Sequence, residues 1–149
     1  MDTDNTAQTW RDLTDQLTAE QIVRLDGGRH MQPDELLDVA RDMAAQNLLQ
    51  AALADIAAPD GATEVRAWCT DDDGAHRTVY GGRWTVGTVI VVIVGDQDST
   101  GAIGWQIEVQ HDERTVGDLT AEQTRELSRV LTVAADLLDQ LTGELPPFM

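Results

Sequence analysis

The segment TVIVVIVGDQDSTGAIGWQIEVQ, residues 88–110, decides the fold. Residues 88–94 are apolar on both faces, which is typical of a strand in the middle of a sheet. Residues 103–110 alternate apolar and polar side chains, which predicts a strand with one face in water. The turn-forming residues GDQDSTG lie between the two. The segment therefore predicts an antiparallel strand pair.

Two further strands are predicted before this pair. Residues 63–69 change to a period of two, with Val65, Ala67 and Cys69 on one face. The sequence TDDDGA is a turn, and HRTVYGGRWTV, residues 76–86, is the second strand. Gly81 and Gly82 interrupt that strand and predict a bulge or bend. Four strands joined by brief turns imply an antiparallel meander.

Helices are predicted on both sides of the meander. Thr18–Gln21 and Thr120–Gln123 both match the capping-box pattern, in which a threonine and a glutamine satisfy each other's backbone amides. Helical spacing begins at Trp10, and Gly143 with Pro146–Pro147 stops the last helix. The apolar stripe of that helix contains Leu127, Val130, Leu131, Ala134, Leu137, Leu138 and Leu141.

A long helix is predicted from Pro33, which suits a first helical turn. Its pattern ends at residues 58–61, and Asn47 interrupts it and suggests a bend. The predicted apolar stripe contains Leu36, Val39, Ala40, Met43, Leu48, Ala52, Leu53 and Ile56.

The fold class is therefore predicted as α+β. N-terminal helices precede a four-stranded antiparallel meander, and a long C-terminal amphipathic helix packs on the sheet. We expect one domain over residues 1–149, made of a helical module (1–58) and a sheet-plus-helix module (63–142). The N-terminal helices would cover a sheet face, pack at an edge or form their own module.

Composition excludes several classes of protein. The 149 residues carry 27 acids and ten bases, for a formal net charge of −17. So acidic a chain does not bind nucleic acid directly, because nothing neutralises the phosphates. One cysteine excludes a disulfide scaffold. The longest apolar run has six residues, so no membrane span is expected. The polar first residues lack a Sec-type signal, and we expect a cytoplasmic location.

The bases are all arginine, with no lysine. Coding from a GC-rich bacterial or phage genome produces this bias, because arginine, alanine, glycine and aspartate then replace lysine, asparagine and isoleucine. Adaptation to high salt produces a similar acidic, lysine-poor surface. Both origins are compatible with the composition.

The two acidic turns contain residue types that bind metal ions. Residues 96–103 match the opening of a calcium-binding EF-hand loop, but Ile107 stands where the bidentate glutamate belongs. An acidic hairpin turn is the better interpretation. Asp71–Asp73 with His76 offers ligand types for a divalent cation, but adjacent turn carboxylates point apart. We predict no metal and no cofactor, although either turn could attract a cation.

Cys69 and His76 flank the first hairpin and are candidates for a thiolate–imidazole dyad. Such a dyad needs hydrogen-bond proximity and a third group that orients the ring. The face shared with Val65 and Ala67 instead predicts that Cys69 is a small buried residue. No nucleophile elbow, Walker loop, dinucleotide fingerprint or zinc spacing occurs. We therefore predict no catalytic residues and no enzyme.

Four tryptophans stand out in a chain with one phenylalanine. Large aromatic residues pack in cores, but an aromatic pair on an exposed sheet face would bind a protein. The candidate interaction surface contains Trp68, Trp84, Val92 and Trp105.

Two parts of the chain resemble small uncharacterised acidic proteins of actinobacteria and actinophages, including mycobacteriophages. Residues 9–25 and 35–48 resemble their helical opening. Residues 92–110 with 119–141 resemble their strand–turn–strand–helix unit. The resemblance covers about half of the chain. It supports an origin and a fold, and implies no activity and no functional residue.

The leading hypothesis is a non-enzymatic interaction or accessory protein, encoded by a phage or prophage. Its partner is a protein, which includes a second copy of itself as a homodimer. One alternative is an acidic mimic of nucleic acid that inhibits a DNA- or RNA-binding protein. Another is an acidic chaperone-like dimer. An enzyme would use Cys69 with His76, or the acidic turns.

Overall fold

A computed structural model describes residues 7–112 and 118–143. The chain divides into two compact units, residues 1–55 and residues 56–149. The division lies three residues before the end of the predicted helical module. That the whole chain is one domain stays a prediction.

The first unit is helical, as the sequence predicts. It contains a 3₁₀ helix Trp10–Gln16, α1 Ala19–Asp26 and α2 Pro33–Ala52. The capping box before α1 is confirmed, since Gln21 N donates to Thr18 Oγ1 (3.2 Å) and Thr18 N to Gln21 Oε1 (2.9 Å). The core of this unit contains Trp10, Leu13, Leu25, Leu37 and Ala40.

The predicted stripe of α2 is correct only in part. Leu48 is 61% exposed, whereas Leu37 and Ala44 are buried. The buried side of α2 therefore follows the spacing 37, 40 and 44. Asn47 marks no break in the helix. Its amide exchanges hydrogen bonds with Gln21 (2.8 and 3.1 Å) and donates to Gln16 O (3.0 Å), so it joins α2 to the segment that starts α1.

The second unit is an antiparallel sheet with one helix, which confirms the α+β prediction. Its strands are β1 Glu64–Val65, β2 Cys69–Asp71, β3 Gly74–Val86, β4 Val89–Asp98 and β5 Ile103–His111. The strand order is β1-β3-β4-β5, and β2 also pairs with β3. There are five strands because the predicted first strand is broken at residues 66–68. β4 also runs four residues further than predicted.

The interruption at Gly81 and Gly82 is a β-bulge, as predicted. Tyr80 pairs with Val94, but Gly82 pairs with Ile93. One extra residue in β3 therefore exchanges its two faces beyond this point.

The C-terminal helix, α3 Ala121–Thr142, packs on one face of the sheet. The predicted Thr120–Gln123 capping box is present, and Gly143 ends the helix in the left-handed conformation (φ 74°). Val130 and Ala134 pack with Val86 and Val91. We call this side of the sheet the helix face. Pro146–Pro147, the other predicted stop, lie outside the described residues.

The alternation of each strand assigns the remaining residues to the two faces. On the helix face lie Arg77, Val79, Trp84, Val86, Val89, Val91, Ile93, Gly95, Gln97, Ile103, Trp105, Ile107 and Val109. On the opposite face lie Cys69, His76, Thr78, Tyr80, Arg83, Thr85, Ile90, Val92, Val94, Asp96, Gln106, Glu108 and Gln110.

Candidate functional site

The structure does not bring the four predicted interaction residues onto one surface. Trp84 and Trp105 lie on the helix face, whereas Val92 lies on the opposite face. Trp68 belongs to no strand and packs against Arg77, whose register places it on the helix face. Trp68 is only 3% exposed, and the Arg77 guanidinium lies 4.5 Å from its ring centroid. The expectation of an exposed aromatic patch that includes Trp68 is corrected, because the indole packs under this arginine.

Trp84 and Trp105 pack within the unit, and Val92 is buried. Trp84 packs against the core beneath α3. The Trp105 ring lies over the backbone of Gly95 on the neighbouring strand. Val92 is 3% exposed, and its register partners are Arg83 and Glu108. These residues therefore build the sheet rather than a shared exposed patch.

The second acidic turn closes on itself, as expected of an acidic hairpin turn. Asp98 Oδ1 accepts hydrogen bonds from Thr100 Oγ1 (2.5 Å), Thr100 N (2.8 Å) and Ala102 N (3.2 Å). The Thr100 hydroxyl, and next its amide, hold the pKa of Asp98 below the ordinary aspartate value. The carboxylate thus stabilises the β4–β5 turn in its ionised form.

This turn should respond to acid in a defined direction. A carboxylate whose pKa is depressed by folding adds stability above its unfolded pKa, about 3.9, and loses it as the pH falls through the folded value. Thr100→Val removes the hydroxyl hydrogen bond, which is the largest cause of the lowered pKa. The pKa of Asp98 should therefore rise toward about 3.9 in an NMR titration. Thr132→Val on α3 is the matched control and should leave it unchanged. An unchanged Asp98 pKa in Thr100→Val would contradict this assignment.

The first hairpin brings Cys69 and His76 together. They are direct cross-strand partners between β2 and β3. Cys69 Sγ lies 3.6 Å from His76 Nε2 and 3.8 Å from Nδ1. Cys69 is exposed, so the expectation of a small buried residue is wrong. The break between β1 and β2 is the cause, since Trp68 rather than Cys69 then lies on the buried side.

Two carboxylates hold the His76 ring. Asp71 Oδ2 lies 2.8 Å from His76 Nε2, and Asp96 Oδ1 lies 3.3 Å from Nδ1. A ring nitrogen that carries a proton donates to the carboxylate that faces it, so the two carboxylates fix the orientation of the ring. The sequence placed Asp71 near this hairpin, but it gave no signal for Asp96. That residue comes from the other acidic turn through the β3–β4 register.

The geometry differs from that of a nucleophile with an in-line base. The sulfur is almost equidistant from the two ring nitrogens, and each nitrogen faces a carboxylate. The sulfur therefore lies against the ring face, and its thiol donates to His76 O (3.4 Å). Within residues 7–112 and 118–143, no three His, Cys, Asp or Glu side chains are arranged to hold a metal ion.

A second candidate site lies at the β5 edge of the sheet. In the described part of the chain, β5 pairs only with β4. Its pairing runs without a bulge from residue 103 to 111. Val109, on the helix face of this strand, is 58% exposed. A regular edge strand with an exposed apolar residue is a template for pairing with another chain.

The C-terminal helix also carries an open groove. Its lining differs from the residues of α3 that lie beside Val86 of β3, which include Arg125, Glu126 and Arg129. Leu131 in this groove is 36% exposed, and α3 contacts β5 as well as β3 and β4. The groove is lined by Thr124, Leu127, Ser128, Leu131, Thr132, Ala135 and Asp136. We call β5 and this groove together the β5–α3 surface.

The other edge of the sheet is blocked. β1 and β2 have two and three residues, and charged side chains accompany them. Arg66 bonds Glu64 (3.1 Å) and lies 5.6 Å from the Tyr80 ring centroid. Short, charged edge strands oppose pairing between sheets. The edge formed by β1 and β2 therefore opposes pairing with another strand, whereas the β5 edge favours it.

Sequence reasoning missed the β5–α3 surface, although a signal was present. The last strand of a meander lies at an edge, and β5 has one carboxylate, Glu108, and no proline or lysine among nine residues. In a chain of net charge −17 that stretch is unusually neutral.

Comparisons with protein-family models, with curated proteins and with solved structures found no match. Among the helices of the described residues, none is long and apolar enough to cross a membrane.

Proposed function

We propose that this chain is a non-enzymatic interaction protein that associates through its β5–α3 surface, and that its partner there is a second copy of itself. The observation that carries the proposal is the β5 edge, which among residues 7–112 and 118–143 pairs only with β4 and leaves Val109 58% exposed. Main-chain hydrogen bonds would join the two edges, and the apolar side chains on the helix face would pack across them.

Charge favours a second copy at this surface. Two chains of net charge −17 repel each other, so they approach most easily where carboxylates are fewest. β5 carries one carboxylate, and two glutamine amides already bind it. Gln106 and Gln110 donate to Glu108 at 3.3 and 3.0 Å. The cost of bringing two acidic chains together is therefore lowest along this strand.

The sequence of β5 also suits an antiparallel pair of identical strands. A two-fold axis at Ile107 places Glu108 of each copy opposite Gln106 of the other, so no carboxylates face each other. The same axis places Val109 opposite Trp105. The apolar side chains of both strands then lie on one continuous face, flanked by the two α3 grooves.

Sedimentation of the full chain tests this proposal. We expect a species of twice the 16.3 kDa chain mass at micromolar concentration. Val109→Asp places two added charges in the interface of each dimer and should weaken association at least about tenfold, or roughly 1.4 kcal/mol. Val65→Asp, on the blocked edge, is the matched control and should leave the dimer intact.

Three outcomes would reject the proposal. One is a wild-type chain that stays monomeric at every concentration measured. A second is equal weakening by Val109→Asp and Val65→Asp. The third is a monomer that captures an unrelated extended peptide at β5, which would make the edge a peptide-binding site. No contact of the described residues specifically favours the nucleic-acid mimic or the chaperone-like dimer.

A further inference from the structure

Three strands bring four reactive side chains together on the face opposite α3. β2 supplies Cys69 and Asp71, β3 supplies His76, and β4 supplies Asp96. We call these four residues the Cys69 cluster. It lies at the blocked edge of the sheet, away from β5, so what it does is independent of the proposed association.

The cluster holds an accessible sulfur beside an imidazole ring that two carboxylates hold in place. Cys69 is exposed, whereas the His76 side chain is 28% exposed and bonded from both nitrogens. The sulfur touches the ring at 3.6 Å. A protonated ring in this position stabilises negative charge as it develops on the sulfur. The arrangement therefore supports attack by the sulfur on an external electrophile, without an in-line base.

The surroundings of the sulfur are strongly anionic. Asp71 and Asp96 bind the ring, and Asp98 is the register partner of His76 on β4. Asp72 and Asp73 form the tip of the same hairpin. An approaching reagent meets several carboxylates beside the imidazole, so a cationic reagent is attracted and an anionic one is repelled.

We propose that Cys69 is a thiol–disulfide exchange site that selects cationic low-molecular-weight disulfides. In the step, the Cys69 thiolate attacks one sulfur of a disulfide R–S–S–R and forms Cys69–S–S–R. The old S–S bond breaks, and its electron pair leaves on the second sulfur as RS⁻. The proton lost from the Cys69 thiol is returned by water, giving R–SH. Cys69 is oxidised, and the small disulfide is reduced.

Exchange rates of the full chain with three disulfides test the selectivity. The probes are cystamine (cationic), bis(2-hydroxyethyl) disulfide (neutral) and oxidised glutathione (anionic). Each rate constant is divided by that of N-acetylcysteine amide with the same probe, which removes differences in intrinsic reactivity. We expect cystamine to exceed oxidised glutathione by about tenfold or more at 10 mM ionic strength, and by less than about threefold at 0.5 M salt.

Variants separate the cluster from the general charge of the chain. Asp71→Asn removes a carboxylate and one anchor of the ring, so it should lower the cystamine preference at least about threefold. Glu122→Gln on α3 removes the same charge far from Cys69 and should leave the preference within about 1.5-fold. His76→Gln should slow exchange with the neutral probe about threefold or more, because the contact between the sulfur and the imidazole is lost.

The selectivity among the three probes is measured on the wild-type chain. The test therefore remains decisive when a variant folds poorly. Equal normalised rates for cationic and anionic disulfides would overturn the proposal. So would a cystamine preference that salt leaves unchanged, or one that Asp71→Asn and Glu122→Gln lower equally.

Discussion

Gln97→Leu is expected to lower the free energy of unfolding of the second unit by about 2–4 kcal/mol. Gln97 is 2% exposed and makes three hydrogen bonds. Its Oε1 accepts from Arg77 Nε (2.7 Å), and its Nε2 donates to Ala57 O and Gly101 O (both 3.1 Å). Leucine preserves the volume but leaves a guanidinium and two carbonyls without these partners.

The network explains why a polar side chain is tolerated in this position. Arg77 also donates to Ile56 O (3.1 Å) and stacks on Trp68. Together the two side chains bind the segment at residues 56–57 to β3 and β4. A satisfied polar network in a low-dielectric region fixes one arrangement, whereas a half-satisfied one is costly.

Chemical unfolding and hydrogen exchange measure the effect. Backbone amides of β3 and β4 should exchange their hydrogens faster in Gln97→Leu. The increase in rate should correspond to the loss in the free energy of unfolding. Gln140→Leu, at an exposed position of α3, is the matched control and should change stability by less than about 0.5 kcal/mol. The double variant Arg77→Met, Gln97→Leu should lose less than the sum of the single losses, because both polar partners are then removed. Strict additivity would contradict the network.

Local patterns predicted most of the elements because their causes are local. The capping boxes at Thr18 and Thr120 depend on residues three apart, and the structure contains both. The alternation from Ile103 onward similarly follows from the pleat of one strand. These features need no knowledge of the partner strands.

The errors concern relations between strands. The alternation that begins at Val65 predicts Cys69 on the buried side only if the strand continues unbroken. The break at residues 66–68 reverses that assignment, and it arises from pairing with β3. Asp96 reaches His76 only through the β3–β4 register, and no spacing along the chain reveals it. The candidate sites were therefore harder to predict than the fold.

The tryptophans show the same limit. The number of tryptophans predicts that several large rings must be packed. The sequence alone does not show which part of the backbone each ring contacts. Trp105 lies over Gly95, where the missing side chain provides the space. A glycine inside an apolar strand is thus a packing signal that can be tested directly.

Gly95→Ala is expected to lower the free energy of unfolding of the second unit by about 1–3 kcal/mol. A β-carbon at Gly95 would lie 2.8 Å from Trp105 Cε3 and 2.8 Å from Ile103 Cδ1. The end of the isoleucine can rotate away, but the indole is rigid and packed. The strain therefore acts on the β4–β5 pairing, and amides of these strands should exchange faster.

Gly104→Ala is the matched control, because a β-carbon there meets nothing within 4 Å. Alanine restricts the unfolded chain more than glycine does, so this variant should be neutral or slightly stabilising. Guanidinium unfolding followed by circular dichroism compares the two. Equal free energies of unfolding for the two variants would contradict the prediction, because the Trp105 ring would then move aside without an energetic penalty. A loss confined to Gly95→Ala would show that the ring is held against the strand, because only then does one added methyl group disturb the pairing.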